Sequence, residues 1–448
     1  MKYFIETYGC QMNVHDSERM AGLLEQAGYE AAADSRDADV VVINTCSVRE
    51  RAEEKLYTRL GEVRQANRET GRAPVVAITG CVAQQEGGAL LKRSKLIDVV
   101  VGTHSLKQLP ALIEHAMADR DAAPRIDVNA YEDVSFPLGV ARRHDPVKAF
   151  VTIIEGCNEF CSFCVVPYTR GAERMRPKRD ILEEVVHAAG EGHREIQLLG
   201  QIVNHYQAPD DPSFDFAALL EAVHEVPGVE RIRFASPHPR HVPMRLIEAV
   251  RDLPRVCKHF HLPVQSGSTR VLAAMRRRYT RESYLELVEL LRATVPGIVL
   301  TTDMIVGFPG ETETDFDDTM SLTRQVRYET MYSFKYSPRP NTLAQKRYPE
   351  DVTDADKTRR IVALQALQRD IQIEMHEGEV GACVDVLVDS VSRRRDWELS
   401  GRTSGNTVVN FPGPRSWLGR TVPVRITRAG AYSLAGQAVH LDTAVVEA

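Results

Sequence analysis

The run TIIEGCNEFCSFCVVPYTRG, residues 152–171, sets Cys157, Cys161 and Cys164 in CxxxCxxC spacing directly after an apolar, β-branched stretch. Three thiolates on one loop can hold three irons of a cubane cluster and leave the fourth iron open to a substrate. A zinc ion would need a fourth protein ligand, and no histidine stands within a turn or two of the loop. Unligated, buried cysteines are the remaining alternative. A second set is spread more widely. KYFIETYGC, DADVVVINTC and APVVAITGC each run apolar and stop at a cysteine, placing Cys10, Cys46 and Cys81 at intervals of 36 and 35 residues. One such cysteine reads as a small buried hydrophobe, but three at repeated strand ends favour a cluster. Cys257 and Cys383 have no comparable partners and are assigned to packing.

The elements that must position these thiols follow from hydrophobic periodicity. Helical patterns such as SERMAGLLEQAG alternate with the three N-terminal strand candidates, which is the rhythm of a parallel α/β sheet. Parallel strands put their carboxyl ends on one edge, so Cys10, Cys46 and Cys81 are expected to converge there. Residues 116–147 are weakly apolar, with much Ala, Asp and Pro, and read as a linker after an N-terminal domain spanning 1–115. Strand candidates then recur near 149–154, 195–200, 231–236, 257–263, 298–305 and 331–336, with helical segments between most of them. Six βα units suggest an open, partial (β/α)6 barrel over 148–376, since a closed one takes about eight. After a helical stretch at 354–377, short strands and turns over 377–448 suggest a small β-barrel. The fold class is therefore α/β with a small all-β domain at the C-terminus.

Composition sets the outer limits. The chain has 448 residues, 43% hydrophobic and 26% charged, which suits several globular domains. Eight cysteines are too few and too clustered for a disulfide scaffold. No apolar stretch reaches the roughly 18 residues of a membrane span, and the start builds no signal-peptide core, so the chain is expected in the cytoplasm with no membrane partner. A net charge of -6 argues against indiscriminate polyanion binding but permits a local basic surface.

CxxxCxxC with an aromatic residue, Phe163, before the third cysteine resembles the radical S-adenosylmethionine enzymes. TYGCQMNVHDSE, NTCSVRERA, TGCVAQ, HLPVQSGS, DMIVGFPGET and YSPRP extend the resemblance over nearly the whole chain to the methylthiotransferase family within that superfamily. GCQMN and SPHP are most similar to the members that act on N6-dimethylallyladenosine in tRNA. The resemblance implies two 4Fe-4S clusters, one on Cys157, Cys161 and Cys164 that cleaves S-adenosylmethionine to a 5'-deoxyadenosyl radical, and an auxiliary one on Cys10, Cys46 and Cys81 from which sulfur reaches the substrate. It implies an enzyme that replaces the C2 hydrogen of the modified adenosine next to the anticodon with a methylthio group. It places Phe163, Glu173, Arg176, Gly200, Gln201, Ser236, Gln265 and Gly307 near S-adenosylmethionine. A flavodoxin-type electron donor is a further implied partner, and the sulfur source stays open. Met175 stands where the family has serine, Ile202 where it has asparagine, and Asn341 and Leu343 where it has Gly and Pro. Two other readings remain: a methylthiotransferase for threonylcarbamoyl-adenosine or a ribosomal-protein aspartate, and a noncatalytic iron-sulfur RNA-binding redox sensor.

The expected RNA contacts lie at the C-terminus. VSRRRDWELSGRTSGN carries Arg393, Arg394 and Arg395, an aromatic, and Arg402 in a turn. Arginines can track phosphates while Trp397 or Phe411 stacks on a base, and the resemblance identifies this region as a TRAM-type barrel for the tRNA anticodon arm. A second run, Arg276 to Arg278, either extends the basic path toward the active site or is a solvated helix end.

Overall fold

The computed structural model describes residues 1–47, 50–120, 122–131, 136–392 and 395–439. The first layer is a six-stranded, all-parallel sheet in which Lys2–Tyr8, Val40–Thr45 and Val75–Gly80 are neighbours. The latter two strands are buried throughout, so they read as continuous apolar runs and not as alternating ones. Helices cover both faces, as shown by two separate apolar clusters, one on Val40, Val42 and Ala77 and the other on Val41, Ile43 and Ile78.

Residues 116–147 differ from the expected linker. The helix Leu109–Ala118 runs into them, and Arg125–Asp127 forms the sixth strand, paired parallel with Val99–Val101. Further on, Val140 and Ala141 are buried, and a Cβ on Gly22 would meet the Val140 carbonyl oxygen at 1.5 Å. A weakly apolar segment thus packs through its backbone, which hydrophobic periodicity does not register.

All six strands expected downstream are present, at Lys148–Thr152, Glu195–Leu199, Arg231–Phe234, His259–His261, Val299–Val306 and Thr330–Lys335. They form two three-stranded parallel sheets joined by a single parallel bridge between Ile232 and Val256. Chain order and spatial order coincide, giving an open half-barrel whose helices pack on its convex side in one large apolar cluster. The long helix Asp354–Gly378 closes this unit, with Thr353 capping its N-terminus.

Residues 383–438 form a closed five-stranded barrel around Val386, Phe411 and Val424. It docks on the amino ends of the half-barrel strands. Arg233 donates to the carbonyls of Thr403 at 2.6 Å and Ser404 at 3.0 Å while pairing with Glu195 at 2.9 Å. Arg231 reaches the Asp385 and Arg402 carbonyls on the same face. The CxxxCxxC loop lies at the opposite, carboxyl end. No helix among the described residues is long and apolar enough to cross a membrane.

Candidate functional site

The cysteine loop begins where the first half-barrel strand ends and turns at Gly156. Its φ of +79° suits glycine, and a Cβ there would sit 2.0 Å from the Ala172 carbonyl oxygen. The Cys157 amide donates to the Gly171 carbonyl at 3.1 Å, tying the loop's start to its end. Its far side is clamped by Ser162, whose amide and hydroxyl bond the carbonyls of Met275 and Ala274 and whose own carbonyl accepts from Ala344. Phe163 packs against a small apolar cluster that includes Val271, Met275 and Phe308. Its visible role is to anchor the loop.

Polar side chains fix the middle of the loop. Glu159 accepts from His241 at 2.7 Å and pairs with Arg240 at 3.5 Å and Arg278 at 3.8 Å. Burial works against its charge, but these partners outweigh that and hold its carboxyl below the usual range. Glu173 accepts from His205 at 2.8 Å and bonds the amide and side chain of Asn158. His205 in turn stacks on His241 at 4.5 Å. Burial pushes the Cys157 and Cys164 thiols up to about 12, so an incoming iron must displace their protons. Arg277 donates to Cys161 Sγ at 3.3 Å from a buried position.

Cys10, Cys46 and Cys81 do converge. Cys46 and Cys81 directly follow adjacent strands, and the Cys46 amide bonds the Tyr8 carbonyl of the next strand at 2.9 Å. Cys10 stands at the N-cap position of the helix Gln11–Gln26, and Cys81 opens the helix Cys81–Glu86, so amide dipoles favour thiolate at both. The shared hydrogen bonds with Cys46 lower Cys10 to about 5 and Cys81 to about 7 and push Cys46 up, with the Arg170 charge assisting ionisation of the outer two. Among the described residues, no three or more His, Cys, Asp or Glu side chains gather as the ligands of one metal ion. Thiolates on three corners of a cubane are spaced by the cube and not by a single ion. Donor chemistry and placement therefore suit a cluster in both triads.

Arg170 ties the segment after the cysteine loop to the N-terminal triad. It lies six residues after Cys164, is buried, and pairs with Asp16 on the N-terminal helix at 2.6 Å. Its charge is held by Asp16 first and then by Cys81 and Cys10. His104 and Thr103 bond the carbonyls of Arg170 and Thr169 at 2.9 and 2.6 Å. The turn after the third loop cysteine is thus seated against the edge that carries the other three.

Three family models match the chain: Uncharacterized protein family UPF0004 over residues 2–102, the Radical SAM superfamily over 151–323 and the TRAM domain over 377–439. The chain is 47% identical to the tRNA-2-methylthio-N(6)-dimethylallyladenosine synthase of Geobacter metallireducens over 97% of both chains. It is 45% identical to the synthase of the same name from Chromobacterium violaceum, over 99% of this chain and 100% of that one. The chain belongs to this synthase family. Among solved structures it resembles the radical S-adenosylmethionine methyltransferase TsrM from Kitasatospora setae, with a TM-score of 0.56 at 14% identity over 77% of this chain and 74% of that one. That likeness is one of fold.

The other positions expected from family resemblance separate into two groups. Ser236 and Gln265 follow the ends of successive half-barrel strands with φ of +61° and +76°, a conformation rare for residues with a side chain and concentrated at ligand sites. Gln201 follows Gly200, and its side-chain oxygen is buried without a hydrogen-bond partner among the described residues, as is Nε2 of His238. Gly200 itself permits close packing, since a Cβ would meet Ile154 Cγ2 at 2.2 Å. These residues ring the carboxyl end of the half-barrel beside the cysteine loop. Arg176 does not join them. Its guanidinium bonds the Thr152 carbonyl and Glu184, both at 2.7 Å, within the contact to the N-terminal domain. Gly307 has its amide engaged by Glu311 at 2.6 Å, and a Cβ would meet Lys357 Cγ at 2.4 Å.

The departures from the family pattern are accommodated. Asn341 takes φ +68°, which asparagine tolerates better than other residues with a side chain, so it can stand in for glycine. Leu343 opens a short helix whose Ala344 amide holds the cysteine loop. Ile202 is buried, and Met175 Sδ accepts from the Gln207 amide at 3.2 Å.

Several expectations need correction. Phe411 is fully buried in the barrel core and cannot stack on a base, because its position on the strand Val408–Pro412 points it inward. Trp397 remains exposed, with Arg395 over its ring at 5.4 Å. Arg402 is turned back onto Asn406 at 3.1 Å and Asp389 at 3.6 Å. Arg393 and Arg394 lie outside the described residues. Cys257 is buried, but Cys383 is exposed at a strand start and does not serve packing. The run Arg276 to Arg278 is no uniform solvated end: its outer members are exposed at φ +58°, and the middle one is buried on Cys161.

Arg170, Glu159, His205 and His241 were not marked by sequence reasoning, and Arg277 was marked only as part of a basic run. Arg170 and Glu159 stand within the quoted cysteine run, so a signal existed for these two. The two histidines are brought in from separate loops and carried none.

Proposed function

We propose that the chain is a radical S-adenosylmethionine tRNA methylthiotransferase that replaces the C2 hydrogen of N6-dimethylallyladenosine beside the anticodon with a methylthio group. The ring C2–H is too weak an acid for side-chain bases, so a hydrogen-abstraction route suits the substrate. The observation that carries the reading is that Arg170, six residues after Cys164, pairs with Asp16 and lies beside Cys81 and Cys10, which seats the segment following the cysteine loop on the sheet edge that carries the other triad. Cys157, Cys161 and Cys164 would hold a 4Fe-4S cluster, and Cys10, Cys46 and Cys81 a second. When bound, the first cluster with S-adenosylmethionine supplies the 5'-deoxyadenosyl radical, and the second supplies the place from which sulfur is delivered.

The protein's own contribution is positioning. Glu159 with His241, and Glu173 with His205 and Asn158, fix the loop that carries the three thiolates. Ser236, Gln265 and Gln201 supply polar groups beside it for S-adenosylmethionine. Arg170 supplies positive charge beside Cys10 and Cys81. Trp397 and Arg395 offer a stacking and phosphate-binding surface for the anticodon arm, whose loop gives up a base from its stack at low cost. A one-electron donor of the flavodoxin type and a sulfur source complete the reaction, which takes place in the cytoplasm.

The test is mass spectrometry of tRNA nucleosides from cells with and without the gene, grown with sufficient iron. Loss of methylthio-dimethylallyladenosine with accumulation of its unthiolated precursor is expected. An unchanged nucleoside overturns the substrate assignment, and the same digest shows whether the threonylcarbamoyl analogue is affected instead.

A further inference from the structure

Arg277 is a buried cation with a defined set of partners around one loop cysteine. Its Nη1 donates to Cys161 Sγ at 3.3 Å, its Nη2 to the Pro263 carbonyl at 2.9 Å and its Nε to Tyr279 Oη at 2.9 Å. Tyr279 Oη is itself anchored on the Val264 carbonyl at 2.8 Å, and the guanidinium lies 5.3 Å from the Tyr279 ring centre. Only 6% of Arg277 is exposed, whereas both neighbours in the run are turned outward by left-handed backbone. Among the described residues, no carboxylate pairs with it. Full burial of a guanidinium without an acidic partner is costly unless something else carries the compensating negative charge. Here that something is the Cys161 sulfur. Cys157 and Cys164 show no side-chain donor comparable to it among the described residues, so the cation is directed at one thiolate of the three.

We propose that Arg277 is a positioning residue that sets the reduction potential of the cluster on Cys157, Cys161 and Cys164, and this rests on the cluster assignment above. Hydrogen bonds to cluster sulfurs and local charge are among the main determinants of such potentials. Reduction adds one electron to the cluster, taken from an external one-electron carrier that is oxidised by one electron, with no proton required for balance. The added negative charge is stabilised by a guanidinium that cannot deprotonate. Removing it disfavours the reduced state while leaving all three thiolates in place. Lysine keeps a charge but lacks the planar fork that serves Cys161, Pro263 and Tyr279 together.

The experiment is a potentiometric titration of the full-length holoenzyme and of R277K and R277Q, following the electron paramagnetic resonance signal that changes on adding S-adenosylmethionine, with iron content measured in parallel. At a fixed applied potential, the reduced-to-oxidised ratio is expected to fall at least tenfold in R277Q, about 59 mV for a one-electron couple, and less in R277K, with iron retained. A ratio within threefold of wild type in iron-replete R277Q overturns the proposal. A second measurement needs no variant: wild-type holoenzyme grown with 15N-arginine should show hyperfine coupling from a guanidinium nitrogen in that same signal, and its absence overturns the proposal even if R277Q fails to fold. Absence of any signal responsive to S-adenosylmethionine in the wild type would instead strike the cluster assignment itself.

Discussion

Replacing Arg170 by glutamine should loosen the contact between the N-terminal and radical domains by an amount that can be worked from the pair it forms. Arg170 and Asp16 expose only 4% and 3% of their side chains and meet at 2.6 Å. R170Q leaves the Asp16 carboxylate buried without its cation, and breaking a buried pair from one side costs about 3–5 kcal/mol. D16N alone should cost less, because Arg170 keeps the charges of Cys81 and Cys10 nearby. The double variant should recover part of the loss, with a coupling of about 1–3 kcal/mol. Tryptophan fluorescence is the wrong probe, since both tryptophans, Trp397 and Trp417, belong to the C-terminal barrel. Hydrogen exchange in the helix Gln11–Gln26, measured on iron-free protein, reports the opening free energy directly. A change below about 1 kcal/mol in R170Q, or strict additivity in the double variant, would refute the view that this pair fastens the segment after the cysteine loop to the N-terminal domain.

The same interface should depend on pH through His15. Burial first, and the Arg19 charge second, depress its folded pKa to about 4, below the ordinary 6.5. The unfolded chain therefore binds the extra proton between these values, and stability is full above about pH 6.5 and falls by about 3 kcal/mol as pH drops toward 4. H15Q, which can still donate to Thr152, should flatten that slope in urea titrations at pH 7, 5.5 and 4.5; an unchanged slope counts against a neutral buried His15. C157A should abolish 5'-deoxyadenosine release, whereas C46A should retain it and lose methylthio insertion; liquid chromatography of both products decides, and insertion by C46A would remove the second triad from the chemistry. In the C-terminal barrel, F411A should cost about 3–5 kcal/mol of barrel stability. W397A should leave barrel melting nearly unchanged and weaken tRNA binding in a filter assay, so equal melting of the two variants would contradict their placement.

What the sequence disclosed and what it withheld divide along the range of the interactions involved. Strand-to-cysteine repetition is a local pattern, and because parallel strands end on one edge it sufficed to bring Cys10, Cys46 and Cys81 together across 71 residues of chain. The half-barrel was legible for the same reason: each buried strand is a short apolar run between helices. Residues 116–147 escaped because their packing uses backbone, as where Val140 lies against Gly22. Arg176 and Arg277 show the limit for charged residues. Both are arginines close to motifs, and only tertiary placement sends one into a domain contact with Glu184 and the other onto the Cys161 sulfur. In RRR, composition suggests a solvated face, and the backbone decides otherwise: left-handed φ at Arg276 and Arg278 turns those two out and leaves the middle side chain pointing inward. A buried arginine with no carboxylate partner among the described residues is a local inconsistency, and such inconsistencies concentrate where function has imposed them. Backbone strain at Ser236 and Gln265 belongs with it, for neither residue type favours φ above zero and both stand at strand ends around the same mouth. Arg277, Ser236 and Gln265, three positions that break sequence rules, thus surround the loop whose cysteines first indicated the chemistry.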